Sequence, residues 1–386
     1  MSQDRPLFLS LLPVMLAVAA VFVVTGAMLS ALPVFVHLRL GYGADVVGAI
    51  TAAQFVAALI GRVWAGRMSD RFGPRRVMLW GLGLTVASGL TCLAAAAFQD
   101  SPALAAQVLV LGRAMLGAAE CFIITSGQTW GLALAGQTRA AAVIGWTGTA
   151  MYLALSVGGP IGGWVQTTYG FAGMGVLALA IPVAVLAFIP REVRPTPKSE
   201  APVTAMPILR AVLRPGLAAG LAGLAYASMA FFSALLFLDR GWHPSWAPFS
   251  AFALALITVR ILAGGLPDRL GTDKTLRIFL FVQIAGLAGV ALAPDPAVAV
   301  AASLVAGVGY AFIYPALGRE AITRVPTQAA GRAVAYFSAF LDLTLAGAGL
   351  LLGQIATHVG LPMVFAASAL ATLAAFAIMA TGEKRR

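Results

Sequence analysis

Three ionisable residues stand out inside long apolar runs: Arg113 and Glu120 in the run 103–126, and Asp342 in the run 332–357. Charge in such a segment is expensive and is kept where it serves a function or holds a partner. Arg113 and Glu120 are seven residues apart, about two helical turns, so they project from one face. They can form a buried pair near a cavity that exchanges a proton, or a fixed ion pair that only positions its helix. The sequence puts no Lys, Arg or His within one turn of Asp342, and Phe340, Leu341, Leu343 and Leu345 flank it. A carboxylate in such surroundings suits loading and release of a proton. The alternative is a rigid carboxylate hydrogen-bonded to Ser338 or to a neighbouring helix.

Other chemistry finds no support. No G-x4-G-K-[ST] phosphate loop occurs, so ATP-driven work is not indicated. His37, His243 and His358 lack metal-ligand spacing, and Cys92 and Cys121 lie in apolar runs as small packing residues. No nucleophile–base set is visible. Neither an enzyme, a cofactor nor a metal is expected.

Composition decides what can hold these charges. Hydrophobic residues make up 60% and charged residues 10%, with a mean hydropathy of +0.93; soluble domains carry roughly 25% charged residues. The net charge is +11, but basic residues punctuate apolar segments instead of forming a stripe. The expected partner is therefore a lipid bilayer and not a nucleic acid. At roughly 20 apolar residues per span, twelve candidate spans appear, six from Leu7 to Ile189 and six from Gly216 to Thr381. The first, near Leu7–Val36, is too long for a leader peptide. Lipid offers no partners for backbone groups, so these are helices, and the alternation of a barrel is absent. The expected fold is an all-α membrane protein: twelve transmembrane helices in two pseudo-symmetric halves, 1–190 and 207–386, joined by a polar linker, 191–206.

Basic residues set the orientation. Of 25 Lys and Arg, 20 fall on the side of the N-terminus, only Arg39 and Arg240 on the other, and Arg62, Arg113 and Arg260 within spans. This asymmetry predicts cytoplasmic termini in a multi-pass inner-membrane protein.

One motif occurs twice. Arg62-x3-Gly66-x3-Asp70-Arg71-Phe72-Gly73 recurs as Arg260-x3-Gly264-x3-Asp268-Arg269-Leu270-Gly271, each position shifted by 198 residues, close to half the chain of 386. Duplicated membrane units are a common architecture of secondary transporters. Gly66 and Gly264 are expected to let their helices pack tightly, and Asp70 and Asp268 to lie at helix ends facing the starts of other helices.

The loop Gly66-Arg67-Met68-Ser69-Asp70-Arg71-Phe72-Gly73-Pro74-Arg75-Arg76 resembles the loop 2–3 motif of the major facilitator superfamily, and Arg113-x3-Gly117 resembles its helix-4 arginine motif. The resemblance covers the whole chain. The runs Trp130-Gly131, Phe312-x2-Pro315-Ala316-Leu317-Gly318 and Leu341-Asp342-Leu343 look like the bacterial branch of arabinose-efflux-like permeases. Gly158-Gly159-Pro160-Ile161-Gly162-Gly163 is a near match to the helix-5 antiporter motif of drug exporters, one residue short. A generic packing face of small residues is the other reading of that run.

The resemblance implies a monomeric proton-coupled transporter of a small molecule. Asp342, Glu120 and Arg113 would be its coupling residues. Gly66, Asp70, Arg71, Gly73, Arg75 and Arg76 would form a gate with Gly264, Asp268, Arg269 and Gly271. Thr25, Gln54, Gln128, Trp146, Tyr152, Tyr226, Tyr310, Tyr314 and Tyr336 are candidates for lining a cavity. Export by proton antiport is the leading expectation, and proton-coupled import of a sugar or organic anion the alternative. A membrane sensor is disfavoured, because the longest polar stretch is the short linker.

Overall fold

The computed structural model describes residues 7–135, 140–190, 205–325 and 330–380; the side chains of Asp70 and Asp268 are not among those described. Most of the linker, 191–204, also lies outside it. The described residues form helices α1 (Leu7–Leu38), α2 (Ala44–Phe72), α3 (Pro74–Ala97), α4 (Pro102–Ala135), α5 (Ala140–Leu186), α6 (Ala205–Asp239), α7 (Ala247–Leu262), α8 (Leu266–Leu270), α9 (Thr272–Leu292), α10 (Pro296–Tyr310), α11 (Ile313–Thr323), α12 (Ala330–His358) and α13 (Leu361–Ala380).

Among the described residues, ten helical stretches are long and apolar enough to cross a membrane, and α7 is a shorter apolar helix. The count departs from twelve for local reasons. Two expected spans run together in α5, where Gly170 adopts φ 66, ψ −169 and interrupts the helical geometry. Another is divided into α7 and α8 at Gly264–Gly265. The break between α10 and α11, where Pro315 has no N–H to give the carbonyl of Ala311 and crowds it, leaves the count unchanged, since Pro296–Thr323 is one of the ten stretches.

The chain clusters into two compact units. One holds residues 1–41 and 53–200, the other residues 42–52 and 201–386. The first turns of α2 therefore pack with the second unit.

Lipid removes the hydrophobic drive between helices, so contact rests on small residues and hydrogen bonds. In the first unit, a Cβ on Gly26 would meet the Leu155 carbonyl at 2.5 Å, and one on Gly162 the Ala27 carbonyl at 2.4 Å. α1 and α5 thus touch backbone to backbone. Phe35 and Phe171 stack at 4.1 Å. In the second unit, Gly286 faces Ala306, and Gly309 faces Gln283, in the same manner. Phe279 and Phe312 meet edge to face at 5.0 Å in a core completed by Val212, Leu317 and Phe337.

The duplicated loops are alike bond by bond. Gly73 has φ 85, ψ 148 and Gly271 φ 77, ψ 162, a region open essentially to glycine alone. Gly73 N–H donates to the Ser69 carbonyl and Gly271 N–H to that of Pro267, both at 3.0 Å. The six positive-φ glycines among the described residues can be set side by side in chain order, 41 with 241, 73 with 271 and 170 with 360.

Each unit also ties down its last helix with an arginine. Arg75 Nε donates to the Pro190 carbonyl at 2.7 Å just past α5. Arg214 donates to the Ile378 and Met379 carbonyls at the end of α13, Nη2 at 2.7 Å to each. Carbonyls at a helix end have no intrahelical donor, and these guanidinium groups supply one.

Candidate functional site

Glu120 on α4 is the centre of a buried polar cluster. Gln54 Nε2, from α2, donates to Glu120 Oε1 at 2.7 Å. Thr25 Oγ1, from α1, donates to the same oxygen. Thr25, Gln54 and Glu120 are each at most 6% exposed. Three helices therefore converge on one carboxylate oxygen.

Gly117 makes this possible. A Cβ there would lie 1.8 Å from the Gln54 carbonyl, so α2 and α4 cross in backbone contact one turn before Glu120. At that separation the Gln54 side chain reaches the carboxylate. Arg113, two turns earlier on α4, is also buried. Next to it, Gly112 faces Thr91 of α3. The structure thus joins two residues singled out as cavity-lining, Thr25 and Gln54, to one singled out for coupling.

Asp342 is buried on α12. Its neighbours Phe340, Leu341 and Thr344 lie against Gly216, Gly223 and Gly220 of α6, which fixes the helix around the carboxylate. One turn before it, Ser338 Oγ and Tyr314 Oη hydrogen-bond at 2.8 Å. Tyr226 stacks near Tyr310 at 6.1 Å, with Phe249 and Phe252 beside them. Tyr336 packs against the core of the second unit. Tyr152 is buried, Gln128 half-buried and Trp146 exposed.

The surroundings of the motif glycines differ from the expectation among the described residues. A Cβ at Gly66 meets nothing within 4 Å, and one at Gly264 meets only the carbonyl of Arg260 in its own segment. Among the described residues, neither meets the tight helix contact expected of it. The close crossings use Gly117, Gly158, Gly162 and Gly309 instead. The gate contacts expected of Asp70 and Asp268 lie outside the described side chains.

Three contacts escaped the sequence reading. Arg260 Nε donates at 2.8 Å to the Ala311 carbonyl, the acceptor that Pro315 leaves without a helical donor. Gln283 on α9 donates to the Ala222 carbonyl at 2.8 Å and to Thr372 Oγ1 at 3.0 Å, joining α6, α9 and α13. Its position as a lone amide in an apolar run was a usable signal, the same one that pointed to Gln54. The third is the approach of Gly48 to Gly349, where a Cβ would meet the opposite carbonyl at 2.1 Å.

The family model described as Major Facilitator Superfamily matches residues 14–344. The chain belongs to this superfamily. It is therefore a transporter of small molecules and not an enzyme. An MFS-type transporter of Salmonella typhimurium is 34% identical over 361 residues, spanning 93% of this chain and 92% of that one. One from Burkholderia mallei is 34% identical over 380 residues, spanning 97% and 93%. Among solved structures, the nucleoside transporter NupG matches with a TM-score of 0.74 at 16% identity, covering 96% of this chain and 99% of that one. A D-xylose–proton symporter matches with a TM-score of 0.75 at 14% identity, covering 97% of each. At these identities the solved structures share the superfamily's fold. This superfamily member is thus a multi-pass membrane protein whose only described buried carboxylates are Glu120 and Asp342.

Proposed function

We propose that this chain is a proton-coupled secondary transporter that exports a small organic solute across a bacterial inner membrane by alternating access. The observation that carries this reading is the grip of Thr25 and Gln54 on Glu120. An ionised carboxylate accepts from both donors. A proton on Oε2 weakens Oε1 as an acceptor and adds an O–H donor; a proton on Oε1 makes that oxygen a donor, so that one of its two partners turns. Gln54 Oε1 is buried with no hydrogen-bond partner among the described residues, and a flip of the amide would present it as the acceptor. Protonation of Glu120 is thereby linked to how α1, α2 and α4 hold together.

Asp342 is the buried carboxylate of the second unit, and Arg113 completes the coupling set. Tyr226, Tyr310, Tyr314 and Tyr336, with Gln128, Trp146 and Tyr152, supply candidates for the solute path. The proposed topology has twelve spans, with α5 counted as two segments parted at Gly170 and α7 with α8 as one. At 1.5 Å per residue, the 41-residue stretch Trp146–Leu186 is about twice the ~30 Å hydrocarbon thickness. The termini and the linker 191–206 are cytoplasmic, by the distribution of Lys and Arg. The arabinose-efflux-like branch and a monomeric state belong to this proposal. Export is read from the Gly158–Gly163 run; its close contact with α1 gives those glycines a packing role as well.

The test is transport in proteoliposomes under an imposed pH gradient of either sign, against a panel of sugars, amphiphilic drugs and metallophores. Export by antiport predicts solute accumulation against the direction of proton flow. Accumulation along it would establish import instead, and flux indifferent to the gradient would remove proton coupling. Asp342→Asn is expected to abolish uphill flux while leaving solute-for-solute exchange. A variant that still concentrates solute like wild type would exclude Asp342 from coupling.

A further inference from the structure

We infer that the junction of α2 and α3 is a binding surface for the headgroup of an anionic phospholipid. α2 exposes Ile60 and Trp64, and its next turns expose Arg67 and Arg71. α3 exposes Arg76 and, one turn on, Trp80. An apolar stripe thus runs straight into three exposed guanidinium groups. Such a step fits only the boundary between hydrocarbon and headgroups, where tryptophan is favoured and arginine meets phosphate.

The surface is built, not merely basic. The Phe72 ring meets Trp80 edge-on at 5.2 Å, which draws the end of α2 onto α3. The Arg71 guanidinium lies 5.1 Å over the same Phe72 ring. A stacked guanidinium is pre-oriented and keeps its forked donors for a phosphate. Residues 67–76 carry four arginines against one aspartate. Arg75 is engaged with the Pro190 carbonyl, which leaves Arg67, Arg71 and Arg76 to face the lipid.

The second copy of the loop is an internal control. It shares the backbone geometry at Gly271. At the positions equivalent to Arg67, Phe72, Arg75 and Trp80 it has Gly265, Leu270, Asp273 and Ile278. Asp273 there pairs with Arg277 of its own helix at 3.0 Å. The aromatic pair and half of the arginine cluster are missing, so the site belongs to the first copy alone.

Native mass spectrometry of the purified protein tests this, in mixed micelles holding phosphatidylglycerol and phosphatidylcholine of equal chain length. Wild type should retain phosphatidylglycerol in preference. Arg71→Gln with Arg76→Gln should weaken that retention by roughly thirty-fold for two interfacial charges. Arg269→Gln with Lys274→Gln should leave it unchanged. Should the glutamine pair fail to fold, Arg71→Lys with Arg76→Lys keeps the charge and should still lower the preference several-fold. Equal loss from both loops, no headgroup preference in wild type, or full competition by the chain-free glycerophosphodiester would each overturn the assignment.

Discussion

Gln54 donates to Glu120 at 2.7 Å across the crossing of α2 and α4, and Thr25 reaches the same carboxylate oxygen from α1. A double-mutant cycle of Gln54→Leu and Glu120→Leu on thermal stability in detergent should therefore show coupling. Interhelical hydrogen bonds in membranes average about 0.6 kcal/mol, with a maximum near 1.7 kcal/mol, and the coupling is expected in that range. Strictly additive losses would mean that the two side chains do not meet in the membrane.

Gly117→Ala should destabilise the protein by about 1–3 kcal/mol, as overpacking does. The added Cβ would collide with the Gln54 carbonyl at 1.8 Å. It should also weaken the Gln54–Glu120 coupling, because the helices must part. Gly83→Ala on α3 provides the contrast: a Cβ there meets nothing within 4 Å. That change should be neutral or stabilise by up to about 1 kcal/mol through the unfolded chain. Equal melting temperatures for the two variants would contradict the crossing.

Gly73→Ala and Gly271→Ala should be costly to a similar degree, about 1–2 kcal/mol each for a side chain forced to positive φ. The near-identical φ and ψ at the two sites predict matched effects, although the residues around them differ. Thermal melts together with limited proteolysis of each loop would measure this. A loss confined to one copy would show that the loops are not equivalent.

Arg260→Ala should cost about 1.5–3 kcal/mol, the usual worth of a hydrogen bond to a charged group, since it strands the Ala311 carbonyl. Pro315→Ala restores an N–H four residues after Ala311 and gives that carbonyl a helical donor. In the Pro315→Ala background the loss from Arg260→Ala should shrink by more than half. An undiminished loss would place the role of Arg260 elsewhere.

The apolar helices and the duplicated loop were legible in the chain because each is a local property. Twenty apolar residues make a span wherever they lie. Gly73 and Gly271 are adjacent to the segments they turn, and their offset of 198 residues is visible without coordinates. The same holds for the burial of Glu120 and Asp342, since an apolar run leaves a charge no other fate.

Partners were not legible, because they are set by where helices cross. The described hydrogen bonds to Glu120 come from Thr25 and Gln54, which lie 95 and 66 residues away along the chain. The sequence marked Gly66 and Gly264 as the packing glycines of the motif, but a glycine packs tightly only where another backbone arrives. The structure brings α2 onto Gly117, α1 onto Gly158 and Gly162, and the first turns of α2 onto Gly349. Residue type permits close approach in many places. The tertiary fold alone selects which of them receive a neighbour, since in lipid that choice rests on shape and hydrogen bonds between distant segments and not on hydrophobicity.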